Sequence, residues 1–594
     1  MVFILFLCLL SSHAELPLHA QRNAPLGTSK EDVEYGLRTL DNLFASKYAL
    51  KSWKKRLYGW THSETRDKLL NSLQSEDRHL STLQAQNYFE DYILSARDQH
   101  LHVDLRNAIY RFLPFAIEVV EERFFVRIST DPNIEVGDEI LTINDLAPLD
   151  YAKKNRLMPQ ESIQEALQKA QKKKGGHSPQ TKAWLQQATH RECNNAFWQR
   201  AITVTPPAPG QAIVGVNLQV KVKKAAHTDH AGQEETHCTR LQRQPCEFVT
   251  PSWSSLSIFS SQTLSFGEKT VSYIKIPTFL VNNDYLLKSL FDPDAVEKAK
   301  EDVAEALYRS YSHKLYLAAC DARKSNAIIL DLRGNPGGYN HTLNFWLSFF
   351  IDTPIPSAVT VDKNNAYGLK KKKDDLRDLK YALNCCTTNL SKILEDPNFY
   401  DLHDFVRSGL QFHSDFFDYE QASLDIYETT YLEGKKKLCV GSNTCTRKPA
   451  KGMPPMPPLY ILIDNQTGSA AEIFSASLQS AGAAKTAGSL TRGATGALVT
   501  YETHSCQILK AASITSDFLL IPENSKLKII EDIGVVPDID LRPTLEDINT
   551  SQSTLFNRLT KRQLFKEKDL VLHKLLMHIN QSEIDNTSIV QEQK

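Results

Sequence analysis

The sequence lacks an excess of charge of either sign. Its 594 residues include 69 Lys and Arg against 70 Asp and Glu, so the formal charge is −1. A protein that binds nucleic acid needs a basic surplus to neutralise phosphates, and no nucleic-acid partner is therefore expected. Hydrophobic residues make up 41% and charged residues 23% of the chain, an ordinary balance that excludes collagen, coiled coils and wholesale disorder. At roughly 150 residues per domain, the length predicts about three to four domains.

Long apolar runs are also missing. A bilayer span needs about 20 apolar residues, and the run at residues 2–10 is too short, so no membrane span is expected. Ser11-Ser12-His13-Ala14 follows this run and is typical of the cleavage site of an export signal. We therefore predict a signal peptide over residues 1–20, cut after Ala14 or Ala20, and a periplasmic or secreted protein. A frayed apolar strand is the alternative.

Spacings typical of metal sites are absent as well. His227, His230, His237 and Cys238 cluster within the polar segment 222–268, but without Cys-x-x-Cys or His-x-x-x-His spacing. Because structural zinc sites commonly use such spacings, we predict no metal site, and zinc on these four residues is the open alternative. No cofactor is implied.

Hydrophobic periodicity divides the chain into regions. Apolar residues recur at helical spacing near the N-terminus and then in the alternation typical of strands, before a helix at 161–174. Prolines near position 206 mark a boundary, after which strands alternate with helices. The sequence predicts a multidomain α/β fold that comprises an N-terminal helical region (21–108), a small β domain (109–205), a linker (206–268), an α/β domain (269–545) with a helical insertion (about 360–455), and a helical tail (546–594).

Ser469 lies where a buried strand turns into a helix. The apolar run 459–463 is followed by a glycine-containing turn, and an Ala- and Ser-rich helix begins after Ser469. Free backbone N–H groups and the helix dipole favour developing negative charge at such a position, so the pattern is compatible with a nucleophile. Serine is also a preferred N-cap, and a simple cap is the alternative interpretation.

A second strand ends in a glycine-dense turn. Residues 327–332 run into Gly334-Asn335-Pro336-Gly337-Gly338, which allows close approach of the backbone and exposes N–H groups. The turn lacks the lysine of a phosphate-binding loop. It therefore favours an oxyanion hole, with a bare turn as the alternative.

Together these segments resemble the C-terminal-processing (tail-specific) serine peptidase family. Its members pair an Asp-Leu-Arg-x-x-x-Gly-Gly turn, found here at 331–338, with a later Ser-Ala-x-Glu, found here at 469–472. The resemblance implies a ClpP/crotonase-like α/β catalytic domain and an upstream PDZ-like domain, whose characteristic strand resembles residues 136–141. It also implies Ser469 as the nucleophile. The implied backbone oxyanion donors are Gly337, Gly338 and Ala470.

The usual base of that family is missing. Most members place a lysine 25 residues after the serine, and position 494 is alanine here. A serine without a base is a weak nucleophile. Residues 47–60, 98–100 and 531–540 are instead similar to the branch typified by the chlamydial protease-like activity factor, which uses His and Glu. That resemblance implies His100 as the base and Glu531 as its orienting carboxylate, because imidazole can relay the proton and a carboxylate can fix its tautomer.

Alternatives remain for each of these positions. His102 could be the base, or could pair with His100 on a metal. Asp532 competes with Glu531 for the orienting role, and Lys485 is the nearest lysine downstream of Ser469.

The sequence as a whole predicts an exported serine endopeptidase with a Ser-His-Glu triad that cleaves protein or peptide substrates through an acyl-enzyme. The resemblance further implies a zymogen cut near residues 222–268 and activity as a homodimer. A catalytically degenerate peptidase that serves as a PDZ-like binding scaffold is the alternative.

Overall fold

The computed structural model describes the chain in segments. The predicted signal peptide and the main part of the predicted helical insertion lie outside the described residues, as does His227. The described residues are 28–106, 108–174, 182–199, 202–204, 217–225, 230–242, 259–266, 269–279, 312–338, 340–356, 358–362, 446–447, 449–450, 453–504, 506–523, 526–545, 569 and 571–581.

Helices dominate the start of the described chain, and strands dominate the rest. In chain order the elements are β1 (Thr28–Ser29), α1 (Lys30–Lys47), α2 (Lys51–Tyr58), α3 (His62–Gln74), β2 (His79–Leu80), α4 (Thr82–Ser95), β3 (His102–Leu105), β4 (Ile109–Arg111), β5 (Phe115–Val120), β6 (Arg123–Ser129), β7 (Glu139–Ile143), α5 (Pro148–Lys154), α6 (Ile163–Lys174), α7 (Lys182–Gln199), β8 (Ile202–Val204), β9 (Asn217–Lys223), β10 (Glu234–Arg240), β11 (Ser260–Phe266), β12 (Lys269–Lys275), α8 (312–322), β13 (Ala327–Asp331), α9 (Asn340–Leu347), a 3₁₀ turn (Ser348–Phe350), β14 (Ile355–Pro356), β15 (Val359–Asp362), β16 (Thr446–Arg447), β17 (Leu459–Ile463), α10 (Ala470–Ser480), β18 (Lys485–Gly488), β19 (Ala497–Glu502), β20 (Leu509–Glu523), β21 (Lys526–Ile529), β22 (Ile539–Asp540) and α11 (571–581).

The N-terminal helices α1 to α4 form where helical periodicity predicts them. Ser29, Thr61 and Ser81 each accept a backbone N–H at a helix start, which satisfies donors that have no acceptor inside the helix. The inner faces bury Phe44 and Tyr48 in a shared aromatic core. In the part of the chain that the structure describes, no helix is both long and apolar enough to cross a bilayer.

A small antiparallel sheet follows, with strand order β10-β9-β7-β6-β5. Two of its strands come from the segment 206–268, which the sequence predicts to be a linker, and β11 from that segment pairs with β12 in another sheet. The reason is visible in β9, where Leu218, Val220 and Val222 alternate with exposed polar residues and face the core. Polar composition hides this half-buried strand.

The largest sheet has the order β11-β12-β13-β17-β18-β22, and its strands from β12 to β22 are parallel. β13 and β17 are buried along their whole length, as expected for central strands covered on both faces. Helices α8, α9 and α10 pack on one face and α11 on the other. Since β13 and β17 run in the same direction, the turns that follow them meet at one edge of the sheet.

A second sheet links the N-terminal helices to this edge. Its long strand β20 pairs with β15, β19, β21 and β3, and the β3 pairing sets His102 opposite Ser513. The turn between α4 and β3, which contains His100, is therefore attached to the same body as the turns after β13 and β17.

Candidate active site

The turn after β17 is rigidly held around Asp464. Its Oδ1 accepts the backbone N–H groups of Gly334, Gln466 and Thr467, each at 3.0 Å. Ser469 then adopts φ 51°, a left-handed value that is uncommon for a residue with a side chain. Backbone strain of this kind persists only where the surroundings enforce it, and it is common at functional turns. Ser469 thus ends a tight strand-to-helix turn, a geometry that is also typical of nucleophile elbows.

The glycine-dense turn after β13 packs directly against Ser469. The Gly468 N–H donates to the Asn335 carbonyl at 2.9 Å, which joins the two turns. Gly337 has φ +103°, and a Cβ on it would lie 2.6 Å from Ser469 Cβ and 2.8 Å from the Ala470 nitrogen. Only a residue without a side chain allows this approach.

An N–H group of these turns could bind an oxyanion only if it is not already donated to an acceptor within the protein. Gly337 donates its N–H to the buried Asn335 side chain at 2.8 Å, so it is not the available donor that the sequence predicts. Ala470 is the first residue of α10, where an N–H has no acceptor within the helix. Ala470 and Gly338 therefore remain as the candidate donors, and Gly337 contributes the space between them.

Substitution of Gly337 by alanine is expected to lower kcat/KM on the order of 10²-fold, because the new methyl group displaces the turn from Ser469 and Ala470. Gly482→Ala is the matched control, since Gly482 also has positive φ but a Cβ added to it would meet no atom within 4 Å. Both variants should lose some thermal stability, and only Gly337→Ala should lose activity. Equal activities in a peptide-hydrolysis assay would contradict this role for Gly337.

His100 lies in the turn between α4 and β3 beside a buried carboxylate. Asp98 is 1% exposed. Its Oδ1 accepts the His100 backbone N–H at 2.9 Å and lies 3.6 Å from ring Nδ1. Its Oδ2 accepts the hydroxyls of Tyr48 at 3.0 Å and Thr515 at 2.7 Å. At 3.6 Å the ring contact is an ion pair rather than a hydrogen bond, and catalytic contacts of this kind often shorten when substrate binds.

Glu531 is a second buried carboxylate at the same ring. One side-chain N or O atom from each of Asp98, His100 and Glu531 lies within 4.8 Å of the others. Glu531 is 1% exposed, and its carboxylate accepts the backbone N–H of Thr495 at 2.6 Å and the Thr495 hydroxyl at 3.0 Å. Histidine and carboxylates are also metal ligands. Both Asp98 oxygens and Glu531 Oε2 accept N–H or O–H donors, an arrangement that favours acid–base chemistry.

Burial and neighbouring charges shift the protonation of this cluster. Burial, with repulsion from Asp98, raises the pKa of Glu531 to about 8. Burial opposes ionisation of Asp98 too, but His100 and the charge of Lys54 outweigh it and hold the pKa of Asp98 below its usual range. Burial lowers the pKa of His100, but Asp98 and Glu531 outweigh burial and raise it above the ordinary histidine value. The cluster therefore exchanges protons near neutral pH.

Residues 492–495 connect this cluster to the serine turn. Arg492 Nε donates to Gln99 Oε1 at 2.9 Å, and the Arg492 N–H donates to the Thr467 carbonyl at 2.9 Å. Two residues further, the Ala494 carbonyl accepts the Ser469 N–H at 2.8 Å. Thr495, which follows, is the partner of Glu531. The serine turn, the His100 turn and the Glu531 turn thus share one short segment.

The structure gives the alternative residues other surroundings. Lys485 is exposed at the start of β18, and the parallel register pairs it with Tyr460, at the opposite end of β17 from Ser469. His102 is exposed at the start of β3. Asp532 is buried and accepts hydrogen bonds from Lys54 and Trp53.

Sequence reasoning assigned no role to Asp98, Thr495 or Lys54. Asp98 stands two residues before His100, in the segment that carries the resemblance, and this spacing is the signal that pointed to it. Nothing local distinguishes Thr495 or Lys54, because their partners are remote in sequence.

Comparisons with known proteins agree with this architecture. Residues 270–541 match the model of peptidase family S41. A Chlamydia pneumoniae protein is 21% identical over 582 residues, which cover 89% of this chain and 88% of that protein. The crystal structure of mature CPAF is similar with a TM-score of 0.56 and 19% identity, over 88% of this chain and 94% of that one. Mature CPAF complexed with lactacystin gives a TM-score of 0.56 and 18% identity, over 88% and 95%. At these identities the structures show a shared fold.

Proposed function

We propose that this serine peptidase, whose residues 270–541 match the model of peptidase family S41, is an endopeptidase with His100, Ser469 and Glu531 as its catalytic triad. The observation that carries this proposal is the segment 492–495, which contacts the serine turn, the His100 turn and Glu531. Protein or peptide chains are the substrates that the family implies.

The proposed reaction is an acyl transfer. His100 takes the hydroxyl proton of Ser469 while Oγ attacks the scissile carbonyl carbon, and the carbonyl electron pair moves onto oxygen. The N–H groups of Ala470 and Gly338 stabilise that oxyanion. The C–N bond then breaks, His100 returns the proton to the leaving amine, and water hydrolyses the ester by the same steps.

The two carboxylates have complementary parts in this mechanism. Asp98 accepts the His100 backbone N–H and places a negative charge 3.6 Å from ring Nδ1. Glu531 adds a second negative charge beside the imidazolium that forms in the transition state. Thr495 holds Glu531 in place through two hydrogen bonds.

Three further properties belong to the proposal. The N-terminal segment directs export, residues near 222–268 are cut on activation, and the mature enzyme acts as a homodimer. The small sheet β10-β9-β7-β6-β5 serves as the PDZ-like domain. Its outer strand β5 is not fully open to a peptide, because the Val119 N–H donates to Asn194 of α7 at 2.7 Å. This contact argues against simple strand capture at β5.

The pH dependence of hydrolysis tests the triad. Because neighbouring carboxylates raise the pKa of His100, the acid limb of kcat/KM is expected above the ordinary histidine value of about 6.5. Glu531→Gln removes a negative charge, so protons bind less tightly and the limb should move to lower pH. The same variant should lower kcat/KM at its plateau on the order of 10²-fold, since the imidazolium loses one stabilising charge.

Glu139→Gln is the control for this experiment, because it removes a carboxylate that pairs with Arg123 in the small sheet. It should leave the limb in place. If Glu531→Gln leaves the acid limb of kcat/KM unmoved, Glu531 is not a member of the triad. A chain that neither hydrolyses protein nor reacts with a serine-directed fluorophosphonate, before or after limited proteolysis, would support the binding scaffold instead.

A further inference from the structure

A completely buried lysine lies behind the candidate catalytic cluster. Lys54, on α2, is 0% exposed. Its ammonium donates to Asp532 Oδ1 at 2.6 Å and to the Arg97 carbonyl at 3.2 Å. Trp53, its neighbour on α2, donates from Nε1 to Asp532 Oδ2 at 2.9 Å. A buried ammonium is costly unless it is paired, and here its partners are the chain neighbours of the proposed catalytic groups.

The positions of these partners explain what the lysine holds together. Arg97 directly precedes Asp98, and Asp532 directly follows Glu531. Both partners have positive φ, 52° for Arg97 and 65° for Asp532, so both turns carry backbone strain that their surroundings must offset. Lys54 therefore connects two strained turns, which carry the two carboxylates near the His100 ring.

The charge of Lys54 acts on the same groups. Asp98, Glu531 and Asp532 are three buried carboxylates in one region. The positive charge of Lys54 lowers the pKa of each of them, against the effect of burial. Arg191, the other cation at this turn, donates to the backbone carbonyl of Asp532 at 2.6 Å.

We propose that Lys54 is a positioning residue of this active site, whose ammonium ties the His100 turn to the Glu531 turn and places a positive charge beside the carboxylates around His100. The inference rests on the proposed function, because it assigns Lys54 a part in the same reaction. Lys54 does not touch the reacting atoms, so its effect passes through the carboxylates.

The expected effect on pH dependence has a definite sign. The active state has a neutral His100 and ionised carboxylates, so it carries the fewest protons. Loss of the positive charge of Lys54 raises the pKa of every group in the cluster. Loss of the negative charge of Asp532 lowers the pKa of these groups. The charged and titratable groups that face this cluster are Tyr48, Lys54, Tyr58, Arg97, Asp98, Arg191, Arg492, Glu531 and Asp532.

The experiment compares Lys54→Met, Asp532→Asn and the double variant in the full chain. Lys54→Met should move the acid limb of kcat/KM up by about one pH unit and lower kcat/KM at pH values below the limb about tenfold. Asp532→Asn should move the limb down. The double variant removes both partners and should return the limb to near its wild-type position. Lys224→Met is the matched control, because Lys224 is a buried lysine paired with Asp138 at 3.0 Å in the small sheet.

Activities are divided by the fraction of protein that reacts with a fluorophosphonate, so that misfolded protein does not count. Shifts of opposite sign support the proposal, because a purely structural pair would lose activity in the same direction from either side. An unmoved limb in Asp532→Asn, or a limb in the double variant that stays at the Asp532→Asn position, overturns it, even where Lys54→Met fails to fold. Lys224→Met should lose stability without moving the limb, and a shift there equal to that of Lys54→Met also overturns it. A wild type that does not react at all refutes the proposed function instead.

Discussion

Ser469→Ala is expected to lower kcat by about 10⁴- to 10⁶-fold, the range for loss of a nucleophile in serine peptidases. In the proposed mechanism the Ser469 hydroxyl is the group that forms the acyl-enzyme. Reaction with a fluorophosphonate should disappear as well. The fold should survive, because the turn is held by the backbone contacts of Asp464, Asn335 and Ala494 rather than by the Ser469 hydroxyl.

Ser475→Ala is the control for the nucleophile. Ser475 is a buried serine on the same helix, α10, and donates to the Ala471 carbonyl at 2.8 Å. Its loss should reduce stability by about 1 kcal/mol, as for an ordinary hydrogen bond, and leave labelling and hydrolysis intact. Unchanged labelling of Ser469→Ala, or a mass-spectrometric adduct on another serine, would refute the assignment.

His100→Ala is expected to lower kcat/KM by several orders of magnitude, on the order of 10⁴-fold, because Ser469 then has no group to accept its proton. Labelling by a fluorophosphonate should become slow at neutral pH for the same reason. Binding of a non-hydrolysable peptide should change little, since the ring contributes to the reaction rather than to docking. The measurement is a comparison of single-turnover rates with binding affinities.

His102→Ala and Lys485→Ala are the controls for the base. His102 is exposed on β3, and Lys485 is exposed at the far end of β18 from the serine turn. Both variants should keep activity within about threefold of wild type, the usual result for an exposed side chain remote from the chemistry. Near-normal activity of His100→Ala together with an inactive Lys485→Ala would show that a Ser-Lys mechanism operates instead.

Local sequence patterns determined the parts of this protein that depend on short stretches of chain. The apolar runs at β13 and β17 predicted buried strands, since only strands covered on both faces are apolar along their whole length. The residues of the turns that follow them indicated Ser469 as the candidate nucleophile and the glycine-dense turn as the candidate oxyanion site. They could be recognised because tight turns require particular residues at particular positions. The missing lysine at position 494 could be recognised for the same reason, because its spacing from the serine is fixed.

Some strands were not predicted because they lie in segments of mostly polar residues. β9 and β10 lie in a stretch with the composition of a linker, yet they complete the small sheet beside β7. Only alternate side chains of β9 are buried, so the average polarity of the segment does not reveal the alternation.

Tertiary structure alone decided how the site is completed. The Gly337 N–H donates to the side chain of Asn335, two residues away, and the orientation of that side chain depends on its hydrogen bond to the carbonyl of Ile276, just after β12. Lys54 and Asp532 meet across 478 positions of sequence. Electrostatic energies depend on distance and burial, and neither quantity is encoded in local residue patterns. The sequence by itself therefore determined which chemical groups the protein has at its turns, and the packing of the sheets determined which of them lie close enough to shift one another's pKa.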